Sequence, residues 1–183
     1  MSAECLEWQD LKAEDALQVG ELTFVIWGPK DKPDARPSPA GNYTDYSGPA
    51  NRRPRRYVVR DGGRIVSHAS VFAREIDVAG RRYTAAALGG VCTYEQYRGK
   101  GYAAEVVRAI FQLVDRGDFE LCLFQTGIPP FYEKLGCRLI SNRIINSLAK
   151  DPAKYPLWEE NVMIYPRSLT WPDGTLDLLG PGY

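Results

Sequence analysis

A mixed α/β fold is what this sequence predicts, and three features carry that expectation. An early helical pattern stands ahead of a run of β-hairpins. A glycine-rich turn then opens a second, strongly amphipathic helix. Hairpins followed by a crossover helix imply a sheet that is antiparallel at first and parallel around the central helix.

The first strand is expected over residues 5–9. A helix follows over about 12–27, where Ala13, Ala16, Leu17, Gly20, Leu22 and Phe24 recur near a helical period. Between Gly28 and Pro54 lie six of the 13 prolines, which makes a long irregular segment. Compact domains rarely keep such a loop without a use as lid or substrate wall, with disorder as the alternative. Strands over 56–60 and 64–76 flank Asp61-Gly62-Gly63, a hairpin signal. A turn at Ala79-Gly80 leads to a third strand over 83–93. From Ala103, the residues Val106, Val107, Ile110, Phe111 and Val114 share one helical face, and Gly117 ends that helix. Residues 120–125 form a short apolar strand, Pro129-Pro130 opens a third helix, and Gly136 closes it. Two last strands are expected over 137–148 and 161–165.

A chain of 183 residues suits one domain, here 1–183, with globular values of 44% hydrophobic and 25% charged residues. Its 23 basic and 23 acidic side chains cancel, which argues against a nucleic-acid partner. The run Arg52-Arg53-Pro54-Arg55-Arg56 is then a solvated loop ahead of a strand, with an anionic partner as the rival reading. The start, Met1-Ser2-Ala3-Glu4-Cys5-Leu6, lacks the basic and apolar parts of a signal peptide. No apolar stretch approaches the roughly 20 residues of a membrane span. Cys5, Cys92, Cys122 and Cys137 are scattered, without metal-ligand spacing, as suits reduced cytoplasmic thiols and no metal. The only histidine, His68, lies in an alternating strand, where a satisfied sheet histidine is preferred to a catalytic base.

The chemistry concentrates in Leu88-Gly89-Gly90-Val91-Cys92-Thr93-Tyr94-Glu95-Gln96-Tyr97-Arg98-Gly99-Lys100-Gly101-Tyr102-Ala103. A strand ends, a glycine-rich turn follows and a helix begins, which makes an anion site from unpaired N–H groups and the helix dipole. Lys100 is followed by glycine, so the loop is not a Walker sequence. Several strands precede it in hairpins, which disfavours a dinucleotide-binding turn.

Arg98, Gly101 and Ala103 sit at the spacing of motif A of the GNAT superfamily of N-acetyltransferases, which this stretch resembles. Phe131-Tyr132-Glu133-Lys134-Leu135-Gly136-Cys137 is similar to that superfamily's motif B. The resemblance implies a mainly antiparallel mixed sheet of about six to seven strands, with a splayed parallel pair and helices on both faces. It implies acetyl-CoA as co-substrate, its pyrophosphate on Arg98, Gly99, Lys100, Gly101, Tyr102 and Ala103. It also implies that the pantetheine arm pairs with the backbone of Val91, Cys92 and Thr93, and that Tyr132 lies near the thioester sulfur. Backbone N–H groups of Val91 or Cys92 would polarise the thioester carbonyl and Tyr132 would protonate the leaving thiolate.

Ile65-Val66-Ser67-His68-Ala69-Ser70-Val71 and Trp171-Pro172-Asp173-Gly174-Thr175-Leu176 look like two branches of the superfamily. One is the aminoglycoside 2′-N-acetyltransferases, the other the nodulation N-acyltransferases, so an amino-sugar amine is the expected small-molecule partner. The sequence departs from both at Gly89, where they carry an acid. Asp45 is a loose candidate for their acidic acceptor loop, and Glu75 and Glu159 are further candidate bases. Tyr43, Tyr46, Tyr155 and Trp158 are candidates for an acceptor wall or for plain core cover. Tyr132 has its own bland reading as a packed, hydrogen-bonded phenol, and Cys92 is a core residue before it is a nucleophile. The rival functions are a CoA-binding regulatory module without turnover and an acyltransferase for longer chains; a homodimer is allowed.

Overall fold

The computed structural model describes residues 2–7, 10–32, 34–40 and 50–182. The chain opens with β1 (Glu4–Glu7) and α1 (Ala13–Trp27), then forms a meander of β2 (Arg55–Asp61), β3 (Arg64–Val78) and β4 (Arg81–Thr93). The central helix α2 (Tyr102–Asp115) leads to β5 (Leu121–Gln125), α3 (Pro129–Glu133), β6 (Arg138–Leu139) and β7 (Arg143–Ile145). β8 (Val162–Tyr165) and β9 (Thr175–Asp177) complete the order. Contacts divide the chain into two units, Met1–Phe72 with Gly90–Ile110, and Ala73–Gly89 with Phe111–Tyr183. Strands β3 and β4 and helix α2 each contribute residues to both.

In the first unit, β1 pairs antiparallel with β2, and β2 with β3 around the Asp61-Gly62-Gly63 turn. Val19 and Leu22 of α1 are fully buried and cluster with Val58, Ile65, Cys92 and Tyr94. The helix is also fastened by polar groups. Asp15 Oδ1 accepts from Arg60 Nη2 at 2.8 Å, and Gln18 Oε1 accepts from the Ile65 N–H at 2.7 Å.

The proline-rich segment is partly docked on this helix. The Ala40 N–H donates to the Ala16 carbonyl at 2.8 Å, and a side chain on Gly20 would collide with the Ser38 carbonyl oxygen. Residues 41–49 lie outside the described residues, and with them Tyr43, Asp45 and Tyr46. Gly20→Ala is expected to destabilise. Overpacking against backbone costs about 1–3 kcal/mol, which exceeds the roughly 1 kcal/mol gained in helix propensity. Thermal unfolding should show the midpoint lowered by about 2–8 °C, whereas a raised midpoint would mean that residues 35–40 do not rest on α1.

In the second unit, β5 lies parallel to β4 through Ala85–Leu121, Ala86–Cys122 and Ala87–Leu123. The pairing ends there, although β4 itself runs on to Thr93. β8 pairs antiparallel with both β5 and β6. β9 pairs antiparallel with the end of β3 and parallel with β7. A core of Ile76, Val78, Tyr83, Leu121, Leu123, Ile164 and Leu176 fills this unit.

The expected mixed sheet with its parallel pair is present. The strand tally differs, since nine strands occur among the described residues. The strand expected over 137–148 is two short ones, β6 and β7. Between them Asn142 donates to the Pro172 and Gly174 carbonyls and accepts from Trp171 Nε1, which draws the chain away from β8 and toward β9. No helix among the described residues is long and apolar enough to cross a membrane.

Candidate functional site

The end of β4 places Cys92 and Thr93 in the core at 5% and 8% exposure, with Val91 half-buried. A short 3-10 turn, Glu95–Tyr97, joins this strand to the glycine turn, closed by the Arg98 N–H donating to the Glu95 carbonyl at 3.0 Å. Arg98 Nε donates back to the Thr93 carbonyl at 3.4 Å. Lys100 holds its ammonium 5.0 Å from the Tyr97 ring centroid. The side chains of Arg98 and Lys100 are exposed beside the start of α2.

Gly99 and Gly101 take φ values of +78° and +84°, which other residues adopt only with strain. No atom outside their immediate neighbours stands within 4 Å of where a Cβ would be, so the turn opens outward. The first intrahelical bond runs from the Glu105 N–H to the Gly101 carbonyl. The N–H groups of Tyr102, Ala103 and Ala104 precede it and have no helical acceptor. An open turn, N–H groups without a helical acceptor, the helix dipole and two cations together suit a phosphate-bearing ligand. Sequence-predicted residues 91–93 and 98–103 are thus brought into one continuous strand–turn–helix segment.

Helix α2 can present this segment because its apolar face is anchored. Val106, Val107, Ile110 and Phe111 are buried. Its far end is fixed by the Gly117 N–H donating to the Val114 carbonyl and the Asp118 N–H donating to the Leu113 carbonyl, the pattern of a Schellman end.

Tyr132 belongs to the second unit. Proline at the start of α3 sets the helix. The Tyr132 ring lies 4.5 Å from Phe124 and 4.8 Å from Phe131, and the residue is 5% exposed. Burial pushes its phenol well above the usual range; the Cys122 and Cys137 thiols add to that, and a hydrogen bond with Thr126 opposes it. The phenol is therefore protonated at neutral pH and can donate a proton or hydrogen bond.

Thr126 begins a turn that also meets Glu159. The Gln125 side-chain oxygen accepts from the Trp158 and Glu159 N–H groups at 3.0 and 2.9 Å. Tyr155 donates its hydroxyl to the Glu159 carbonyl at 3.0 Å. The Glu159 carboxylate stands 3.4 Å from where a Gly127 Cβ would be, and Trp158 beside it is 72% exposed. Glu75, by contrast, accepts from the Thr84 hydroxyl at 2.9 Å within the β3–β4 hairpin.

One sequence reading changes and one is sharpened. Arg56 is not part of a solvated loop: it lies in β2, 9% exposed, with Nη1 2.9 Å from His68 Nε2. Arg55 is in the strand as well and pairs with Glu7 at 3.0 Å. Burial pushes the Cys92 thiol up to about 12 against the opposing Arg56 charge, so it is an unionised core thiol at neutral pH and not a nucleophile. None of the four cysteines is in a disulfide. No cluster of three or more potential ligand side chains able to hold a metal occurs among the described residues.

No curated protein matches this chain in sequence. Among solved structures, a GNAT-family acetyltransferase from Staphylococcus aureus MU50 aligns with TM-score 0.56 at 12% identity, over 91% of this chain and 99% of that one. A GNAT-family acetyltransferase from Brucella melitensis, solved in complex with acetyl-CoA, aligns with TM-score 0.54 at 13% identity, over 96% and 95%. A conserved protein from Enterococcus faecalis V583 aligns with TM-score 0.54 at 15% identity over 75% of this chain, which spans only 33% of its length. At such identities the likeness is one of fold. The family is carried by a sequence model, that of the acetyltransferase (GNAT) domain, which matches residues 10–140. This chain belongs to the GNAT acetyltransferase family.

Proposed function

We propose that the chain is an N-acyltransferase that moves an acetyl group from acetyl-CoA to a primary amine of a small molecule. The observation that carries this reading is the outward-opening Gly99–Gly101 turn at the start of α2, reached directly from the end of β4. Family membership supports it. In this reading Arg98, Lys100 and the N–H groups of residues 101–103 hold the pyrophosphate. The backbone of Val91, Cys92 and Thr93 pairs with the pantetheine arm and polarises the thioester carbonyl. The neutral amine attacks that carbonyl, the C–S bond breaks, and the thiolate takes a proton from Tyr132. Water returns the proton lost by the amine. The raised phenol makes Tyr132 a weak acid, so its contribution is a strong hydrogen bond to the departing sulfur, with proton transfer completed as charge develops there.

The acceptor class proposed is an amino sugar or aminoglycoside. It rests on the sequence resemblance of residues 65–71 and 171–176 and on the Glu159 carboxylate beside Gly127, on a backbone held by the Gln125 and Tyr155 bonds. A carboxylate there pairs with the ammonium form of an amine and so favours a cationic acceptor. The test is thiol release from acetyl-CoA in the presence of aminoglycosides, glucosamine oligomers and a polyamine. Release with the first two classes supports the acceptor proposed. Release with the polyamine alone removes it and leaves the acetyl transfer standing. Donor binding without release from any amine favours a regulatory module.

A further inference from the structure

Side chains of β3 reach into β4 where the proposed donor strand begins. His68 is 1% exposed, and its Nδ1 lies 2.8 Å from the Gly90 carbonyl oxygen. Its Nε2 lies 2.9 Å from Arg56 Nη1. These partners leave the ring one protonation pattern. A carbonyl only accepts, so Nδ1 carries the hydrogen and donates it. A guanidinium only donates, so Nε2 offers its lone pair. Burial and the Arg56 charge both lower the imidazole, to about 3, and the Gly90 carbonyl only partly opposes them.

Gly90 is itself irregular within the strand, at φ +58°. A Cβ there would stand 3.2 Å from His68 Cε1 and 3.3 Å from Ser70 Oγ, so the ring lies flush against bare backbone. Ser67 continues the contact, with Oγ donating to the Cys92 carbonyl at 3.2 Å and 2.8 Å from Thr93 Oγ1. The path of residues 90–93 is therefore set by side chains of β3 as well as by the sheet ladder. A cation bound to Nε2 polarises the ring and strengthens the Nδ1–H donor, as coupled hydrogen bonds do in a low-dielectric interior.

The geometry points to His68 as a positioning residue: fixed in one tautomer by Arg56, it clamps the Gly90 carbonyl and so sets the backbone of residues 91–93 for the acyl-CoA donor. This rests on reading that strand end as the donor edge. Ordinary sheet packing needs only bulk at position 68. The clamp needs a donor at the Nδ1 position, and that difference is measurable.

His68 is the only histidine in the chain, so nitrogen-15 histidine labelling gives one imidazole to observe. At pH 7 the expected spectrum is the neutral Nδ1–H tautomer, displaced on saturation with acetyl-CoA. The opposite tautomer, a protonated ring, or a signal unmoved by bound donor overturns the clamp. Two variants add a second readout. His68→Asn keeps an amide donor near the Nδ1 position, while His68→Gln carries its amide out toward Nε2. Calorimetry is expected to show acetyl-CoA affinity lowered about 10-fold in the glutamine variant and near wild type in the asparagine variant. Equal affinities overturn the clamp, whatever the melting temperatures. If the glutamine variant does not fold, the wild-type spectrum still decides. Wild-type protein that binds no acetyl-CoA defeats the donor reading itself, a result distinct from donor binding that ignores His68.

Discussion

Gly101→Glu is expected to abolish acetyl-CoA binding while leaving a folded protein. The new side chain meets nothing within 4 Å at its Cβ, so packing does not forbid it. Its backbone cost is about 1–2 kcal/mol for a non-glycine residue at φ +84°. The loss of binding is larger. A carboxylate set about 4 Å from a phosphate group costs about 4 kcal/mol at the effective dielectric of a protein surface, roughly 1,000-fold in affinity. Gly101→Ala separates the two effects, because it carries the backbone strain without the charge and should retain most of the affinity. Calorimetric titration of both variants, with circular dichroism to verify the fold, reads the difference. Wild-type affinity in the glutamate variant would move the phosphates away from the start of α2.

Tyr132→Phe carries the second large effect. The ring remains packed on Phe124 and Phe131, and only the hydroxyl bonded to Thr126 is lost. Stability should change by about 1 kcal/mol or less, as for one buried hydrogen bond. Turnover is expected to fall by about 10- to 1,000-fold, within the usual contribution of a positioned proton donor. Acetyl-CoA affinity is expected to hold, because the phenol acts on the leaving sulfur and not on the phosphates. Steady-state kinetics with the best amine and calorimetry with the donor give this split directly. Unchanged turnover would return Tyr132 to the role of a buried, hydrogen-bonded core phenol.

What the sequence disclosed follows the range of the interactions. The Asp61-Gly62-Gly63 hairpin, the amphipathic face of α2 and its end at Gly117 depend on residues close in sequence, and all were expected. The turn 98–103 was legible for the same reason: its chemistry is a contiguous run of backbone and two cations. The break between β6 and β7 was not, because Asn142 is held by carbonyls some 30 residues away. β9 was missed for a similar reason, since its three residues gain their strand partners only from β3 and β7. The sequence run around Arg56 looks like a solvated basic patch, and nothing local shows that a guanidinium there turns inward to a histidine 12 residues on. His68 gave a better signal. Its place in an alternating strand marked it as a satisfied sheet histidine, although the partners could not be named.

Glu159 shows the limit from the other side. As a lone acid in a loop it was one of three candidate bases of equal standing. The Gln125 bond that fixes its backbone beside the Thr126–Gly127 turn comes from a residue 34 positions away, which no local pattern shows. Glu75 is committed to Thr84, and Asp45 falls outside the described residues.

The central claim is that the glycine turn at the start of α2 holds an acyl-CoA. Its most direct test is calorimetric titration of the purified protein with acetyl-CoA, followed by a long-chain acyl-CoA. The account predicts one-to-one binding of acetyl-CoA that weakens as salt rises, because the pyrophosphate meets Arg98 and Lys100. Binding of the long-chain donor alone would keep the turn and change the acyl group. Binding of neither would contradict the account, and the open turn at Gly99 and Gly101 would be only the way the chain enters a helix.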